Sequence, residues 1–495
     1  MSPEEYRQHD ALGLADLVQR GEVTPDELLD VALALGEQAN TRFNAINRWM
    51  IPAAREQVAG GLRGPLAGVP FLVKDIVQDV AGEPTSAGSR AFSNTPVPVN
   101  SSYVQRARAA GLVIFGKTNT PELALKGVTE NRVFGATRNP WNPEHTPGGS
   151  SGGAAAAVAA GVVPMAGAND GGGSIRIPAA YCGLFGFRPG RGRVPSGPAA
   201  GEIWEGASSD HVLTRSVRDS AAMLDLLAGP DAGAPFHVAP HQRPYLQEVG
   251  APPGQLRIGF STRSPVDGSV DAACVQAVEG TARVLEELGH HVEEAEPRVD
   301  GLELARCYMR LYFGQVAAAM HGHPARAFEL DTRALAMLGR ALNSGDYVRA
   351  HLQWNSFSRS LGGYFQQYDL YLTPTVAALP ARIGELDTPP LERAALRPLL
   401  WLNAGRLLLK SGIVDKLAFR SLQRTPFTQL ANLTGTPAMS VPLHWAHDGL
   451  PIGSQFIAPV GEEARLIRLA AQLEEAQPWF SRIPCWFPEK ERSKA

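Results

Sequence analysis

Two short apolar runs, each ending in charge, constrain this chain most. Val69-Pro70-Phe71-Leu72-Val73 leads into Lys74-Asp75, and Leu112-Val113-Ile114-Phe115 leads through Gly116 into Lys117. A run apolar at every position reads as a strand buried on both faces, because a half-exposed strand alternates. Between the runs, Ser102 to Ala110 reads as a helix. Strand, helix and strand in that order predict α/β architecture. Helices are expected over 11–60, where Thr24-Pro25-Asp26-Glu27 supplies a cap, a proline at the first helical position and acids in the first turn. Ala154 to Ala168 is broken by Gly161, Pro164 and Gly167, so it reads as a buried helix and then a buried strand rather than a membrane span. Further on, a helix is expected at 274–288, a strand at 291–293, mainly helix over 301–365 and a helix at 462–475. The 380–425 segment has no clear period and reads as a helical insertion or lid. No repeat, low-complexity tail or long linker divides the chain, so one large domain is expected.

Composition narrows the functional classes. The 495 residues include 44% hydrophobic and 19% charged residues, with a net charge of -3. Nothing there favours nucleic acid or an anionic membrane as partner. The polar start, Met1 to Asp10, lacks the basic and apolar parts of a secretory signal. Four cysteines lie far apart with no CxxC pair, so neither a disulfide framework nor a structural zinc site is expected, and a reducing cytoplasm fits.

The chemistry concentrates between 146 and 178. Pro147-Gly148-Gly149-Ser150-Ser151-Gly152-Gly153 precedes Asn169-Asp170-Gly171-Gly172-Gly173-Ser174-Ile175-Arg176-Ile177-Pro178. Successive glycine amides form a concavity for negative charge, which is what an amide carbonyl needs as it becomes an oxyanion. A serine at the end of such a row could attack that carbonyl, given a base. No histidine falls in a motif that connects to Ser174. Lys74 is one of only seven lysines, and it ends an apolar strand. Burial there would lower its pKa and free the neutral amine as a base, or else Lys74 forms a buried ion pair with Asp75 or another acid. Neither glycine run ends in the Gly-Lys-Ser/Thr of a phosphate loop. Gly148 to Gly152 fits a G-x-S-x-G elbow, but the two prolines before it make a poor strand.

Taken together, these residues resemble the amidase signature family: a GGSS(G/S)G run, a small-residue helix, then D-x-GGS-(I/L/V)-R-x-P. Ser150 and Ser174 have that family's spacing of 24 positions. Segments 68–75, 116–122, 135–141, 432–438 and 449–455 are similar to the family in the same order, so the resemblance spans nearly the whole chain. It implies an α/β fold of one large domain, with a mixed, twisted sheet covered by helices on both faces. Within 1–495 it suggests N-terminal helices over 1–60, a catalytic core over 61–200, a mostly helical pocket or lid region over 301–425 and a return to the sheet over 426–480.

The resemblance further implies roles. Ser174 matches the acylated nucleophile, Lys74 the base, and Ser150 the relay residue whose peptide bond is cis. The amides of Gly171, Gly172, Gly173 and Ser174 match the oxyanion hole. Asp170 and Arg176 match a pair that shapes the loop, Ser151 a supporting hydroxyl and Ala124 a position lining the acyl pocket. Asn169, expected with Ala124 and Tyr312 to line the substrate pocket, stands where threonine is common, and Gly171 where a larger apolar residue is common. No cofactor or metal is implied. The expected partner is a small-molecule amide or carbamate, neither nucleic acid nor membrane, and the expected state is a monomer or homodimer. The branch with hydrolases of nylon-related cyclic amides looks nearest, beside aryl-acylamidases and urethanases. A glutamine-hydrolysing subunit of a tRNA amidotransferase carries the same signature. Tyr308, Tyr312, Phe313, Trp354 and Trp401 are candidate pocket aromatics, favouring a bulky apolar substrate.

Overall fold

Strand β2 (Pro70–Lys74) is buried at all five positions, and it lies inside the sheet rather than at an edge. Its proline is the first strand residue, where the missing N–H costs least. In this computed structural model, which describes residues 1–486, thirteen strands occur among the described residues. They are β1 (Ile46–Trp49), β2, β3 (Val113–Thr118), β4 (Glu130–Asn131), β5 (Gly135–Ala136), β6 (Met165–Asp170) and β7 (Phe185–Arg188), then β8 (Ser209–Thr214), β9 (Arg257–Phe260), β10 (His291–Glu294), β11 (Leu370–Pro374), β12 (Ala438–Trp445) and β13 (Pro451–Ile457). Strands β4 and β5 form a separate hairpin. The other eleven make one mixed sheet in the order β1-β3-β2-β6-β8-β7-β12-β13-β11-β9-β10. Pairing is parallel at β3/β2/β6 and β11/β9/β10 and antiparallel elsewhere.

The parallel trio matters for the site. It brings the C-terminal ends of β2 and β6 to the same edge, so Lys74 and Asn169-Asp170 come together. The helix Gly152–Ala159 follows Ser150-Ser151 and is buried at every residue. Its glycines and alanines permit that depth. A Cβ at Gly153 would stand 2.4 Å from the Asn119 amide nitrogen.

The sheet carries the main core, from Phe71 and Phe115 to Phe187 and Phe456. A second cluster surrounds the helix Gly301–Ala319 and includes Tyr308, Phe313, Leu338, Trp354 and Leu422. Residues 380–425 form three helices, Pro390–Trp401, Gly405–Lys410 and Ile413–Leu422. One expectation fails at the N-terminus. Within 11–60, Ile46–Trp49 is not helical but pairs antiparallel with β3 at the sheet edge. Only its first residue is buried, so no apolar period marked it. Among the described residues, no helix is long and apolar enough to cross a membrane.

Candidate active site

Lys74 is fully buried at the end of β2. Its Nζ lies 2.7 Å from Ser150 Oγ and 2.5 Å from Asn169 Oδ1, both uncharged partners. Burial lowers the amine's pKa to about 7, with the negative charges of Asp210 and Asp170 pulling the other way. The alternative ion pair with Asp75 does not form. Asp75 stands 3.9 Å from Lys117 Nζ and accepts from Asn47 and Ser86.

The turn that presents Ser150 is held from outside. Gly148 has φ +84, and the Gly149–Ser150 peptide bond is cis. Thr129 Oγ1 donates to the Gly148 carbonyl at 2.8 Å and accepts from the Gly152 amide at 3.1 Å. Ser151 Oγ donates to the Asn169 carbonyl at 3.3 Å. Its contact is thus with the backbone beside Lys74's partner.

Asp170 and Arg176 fold the glycine loop around themselves. Both are wholly buried and meet through two bonds of 2.9 Å. Burial alone would raise the Asp170 carboxyl. The Arg176 charge and hydrogen bonds overcome that and hold it below the usual carboxylate range. Arg176 also donates to Gln455 Oε1 at 2.6 Å, Asn432 Oδ1 at 2.7 Å and the Thr428 carbonyl at 2.8 Å. The two C-terminal segments seen in the sequence therefore supply acceptors for this guanidinium.

Side chains hold two of the loop's carbonyls. Thr428 Oγ1 and Gln429 Nε2 donate to the Gly172 carbonyl, and Tyr308 Oη donates to that of Gly171. Among the described residues, the amides of Gly171, Gly172 and Ser174 have no acceptor within the protein. Gly173 departs from the expectation of four donors. Its amide is committed to Asp170 Oδ1 at 2.6 Å, which leaves three. Gly172 admits no side chain, since a Cβ would stand 1.7 Å from Tyr308 Oη. Gly171 has more room, with Trp204 at 3.4 Å.

Ser174 borders a cavity of about 80 Å³ together with Gly149, Gly172, Ile177, Tyr308, Tyr312 and Gln429. Gln429 is 2% exposed, and its Oε1 has no hydrogen-bond partner. Two expected lining residues are elsewhere. Asn169 faces Lys74 instead. Ala124 adopts φ +58, and its successors Leu125, Lys126 and Gly127 line the cavity in its place. Of the candidate aromatics, Tyr308 and Tyr312 line it, with ring centres 4.9 Å apart. Phe313 and Trp354 belong to the second core, and Trp401 is 84% exposed. Sequence reasoning missed Thr129, Thr428 and Gln429. Their neighbours in sequence gave no sign that they reach the loop.

Comparisons with known proteins identify the family. The Amidase family matches residues 27–467. The 6-aminohexanoate-cyclic-dimer hydrolase of Paenarthrobacter ureafaciens is 36% identical, with 96% of each chain covered. A solved 6-aminohexanoate cyclic dimer hydrolase complexed with substrate superposes with a TM-score of 0.89 at 34% identity, covering 97% of this chain and 99% of that one. A bacterial aryl acylamidase of the amidase signature family gives 0.84 at 27% identity, covering 97% and 99%. With its fold, motifs and relatives in agreement, the chain belongs to the amidase family, whose members here are hydrolases of carbon–nitrogen bonds.

Proposed function

We propose that this hydrolase cleaves a small-molecule amide through an acyl-enzyme on Ser174, with neutral Lys74 as base and Ser150 as relay. The observation that carries the reading is the buried Lys74 amine on Ser150 Oγ with no carboxylate bonded to it. Ser174 Oγ attacks the carbonyl carbon. Its proton passes to Ser150 Oγ as the Ser150 proton passes to Lys74 Nζ. The carbonyl oxygen takes the negative charge facing the amides of Gly171, Gly172 and Ser174. The C–N bond then breaks, and the relay returns a proton to the departing amine. Water repeats the sequence on the ester, releasing acid and free Ser174.

The cavity supports a view of the substrate. About 80 Å³ is well below the roughly 300–1,000 Å³ of pockets for drug-sized ligands. A slender acyl chain suits it better than the bulky group that the aromatics suggested. Ile177, Met309 and Leu335 give it apolar walls, and the free Gln429 Oε1 is an acceptor for a substrate N–H. An unbranched aliphatic amide, linear or cyclic, fits those features and the activity of the related 6-aminohexanoate-cyclic-dimer hydrolases. The test is turnover of linear and cyclic aliphatic oligoamides, an anilide, an aryl carbamate and glutamine, with labelling of Ser174 by a fluorophosphonate. The expected result is labelling at Ser174 and fastest hydrolysis of the aliphatic amides. Preference for the carbamate would move the reading to a urethanase, and activity confined to glutamine would move it to an amidotransferase subunit. Loss of labelling at Ser174 would overturn the mechanism.

A further inference from the structure

Away from the glycine loop, five arginines converge on one cavity of about 330 Å³. Arg132 follows β4, Arg326 lies in the short turn Ala325–Ala327, Arg333 is on the helix Leu330–Ala341, and Arg393 and Arg397 are on the helix Pro390–Trp401. The remaining lining is Phe328 and Leu330, with no acid. Among the described residues, none of the five makes an ion pair. The acids close by in sequence all have other donors, although Glu329, between Phe328 and Leu330, lies at the cavity's edge. Glu329 accepts from the Arg132 amide, Asp331 pairs with Lys126 and accepts from Thr388, and Glu392 pairs with Arg420.

These side chains leave a local positive charge without protein counter-charge, screened by water where Arg132, Arg326 and Arg397 are exposed. Arg393 and Arg397 stand four apart on one helix, where like charges repel. The chain as a whole carries -3, so the surplus is local. All five cations are arginines, whose forked donors match the oxygens of phosphate in pairs. The volume exceeds that of a bare phosphate group, and Phe328 and Leu330 offer an apolar wall to whatever the phosphate is attached to.

We infer that this cavity binds a phosphate-bearing anion, clamped between the helices Leu330–Ala341 and Pro390–Trp401 and the segment at Arg132. The phosphate belongs either to a soluble organophosphate or to a lipid headgroup. The same cover exposes Leu391, Trp401, Leu402 and Leu407 at 64% or more, as contact with a bilayer would require.

The experiment uses the full chain and pyrophosphate as probe, by isothermal titration calorimetry and thermal melting at constant ionic strength. Saturable binding at one site is expected, with the melting temperature rising with pyrophosphate concentration. The double substitution Arg393→Gln and Arg397→Gln should weaken binding by at least about tenfold. It should also melt above the parent in pyrophosphate-free buffer, because repulsion is relieved. Arg132→Gln, on a separate segment, should weaken binding as well, and it serves if the double variant fails to fold. Sedimentation with phosphatidylglycerol vesicles separates the sources. Vesicle binding competed by pyrophosphate assigns the headgroup, and pyrophosphate binding without vesicle binding assigns a soluble ligand. No binding to either, or binding unchanged in the variants, overturns the site.

Discussion

The floor of the active site and the helices above it are built on opposite terms. On the floor, Lys74, Ser150, Asp170 and Arg176 are wholly buried, and each is held by named hydrogen bonds. In the cover, Leu391 is 85% exposed and Trp401 84%, and the helix Pro390–Trp401 buries no residue fully. Burial on the floor does chemical work. It brings the Lys74 amine to a pKa of about 7, while the Arg176 charge keeps Asp170 ionised against the same burial. The neighbouring helices Gly301–Ala319 and Leu330–Ala341 supply Tyr308, Tyr312 and Leu335 to the cavity, so the proposed function predicts that side-chain size there sets selectivity. Changes to the floor should therefore abolish turnover or folding, and changes to these helices should alter preference.

The comparison breaks most visibly at the nucleophile. Ser174→Ala should lower kcat by about 10⁴-fold or more, as loss of the nucleophile does in other serine hydrolases, measured under single-turnover conditions. Next is Arg176→Leu, which leaves Asp170 buried and unpaired. It should destabilise the fold by about 3–5 kcal/mol in urea unfolding. Asn169→Ala removes one of Lys74's two partners. Lys74 becomes charged as it takes up the proton, and a hydrogen bond to a charged group contributes about 1.5–3 kcal/mol, so kcat/KM should fall by roughly 10–100-fold. Asn169→Asp should instead place a negative charge on the amine and move the acid limb of the pH profile upward. The smallest effect belongs to the neighbouring helices. Tyr312→Ala widens the cavity, and a few-fold shift in kcat/KM toward wider acyl chains is expected while kcat on slender ones holds. A large loss of kcat there would erase the distinction between the two regions.

The floor was largely legible in the sequence for a physical reason. Glycines at 148–149 and 171–173 and a continuous apolar strand before Lys74 each reflect a backbone or charge requirement with few solutions, whereas the Asp170–Arg176 pair was legible only through the family resemblance. Which amides remain free was not legible. Gly173 looks like its neighbours in sequence, but its N–H is spent on Asp170. Thr129 also stayed hidden, because one hydroxyl bridging Gly148 and Gly152 is a purely tertiary arrangement. In the cover, Leu391, Trp401 and Leu407 are apolar yet exposed, so an apolar stripe in the sequence did not say which face is buried. The strand Ile46–Trp49 was obscured by its half-exposed edge position.

The pH dependence of kcat/KM tests the central claim most directly. Lys74 must be neutral to accept a proton, and the neutral fraction grows as pH rises through its pKa. The expected profile climbs with unit slope and levels off above about pH 7. A profile still climbing toward pH 10 would show that burial does not depress the amine, and one flat from pH 5 to 9 would show that the amine at position 74 is not the base.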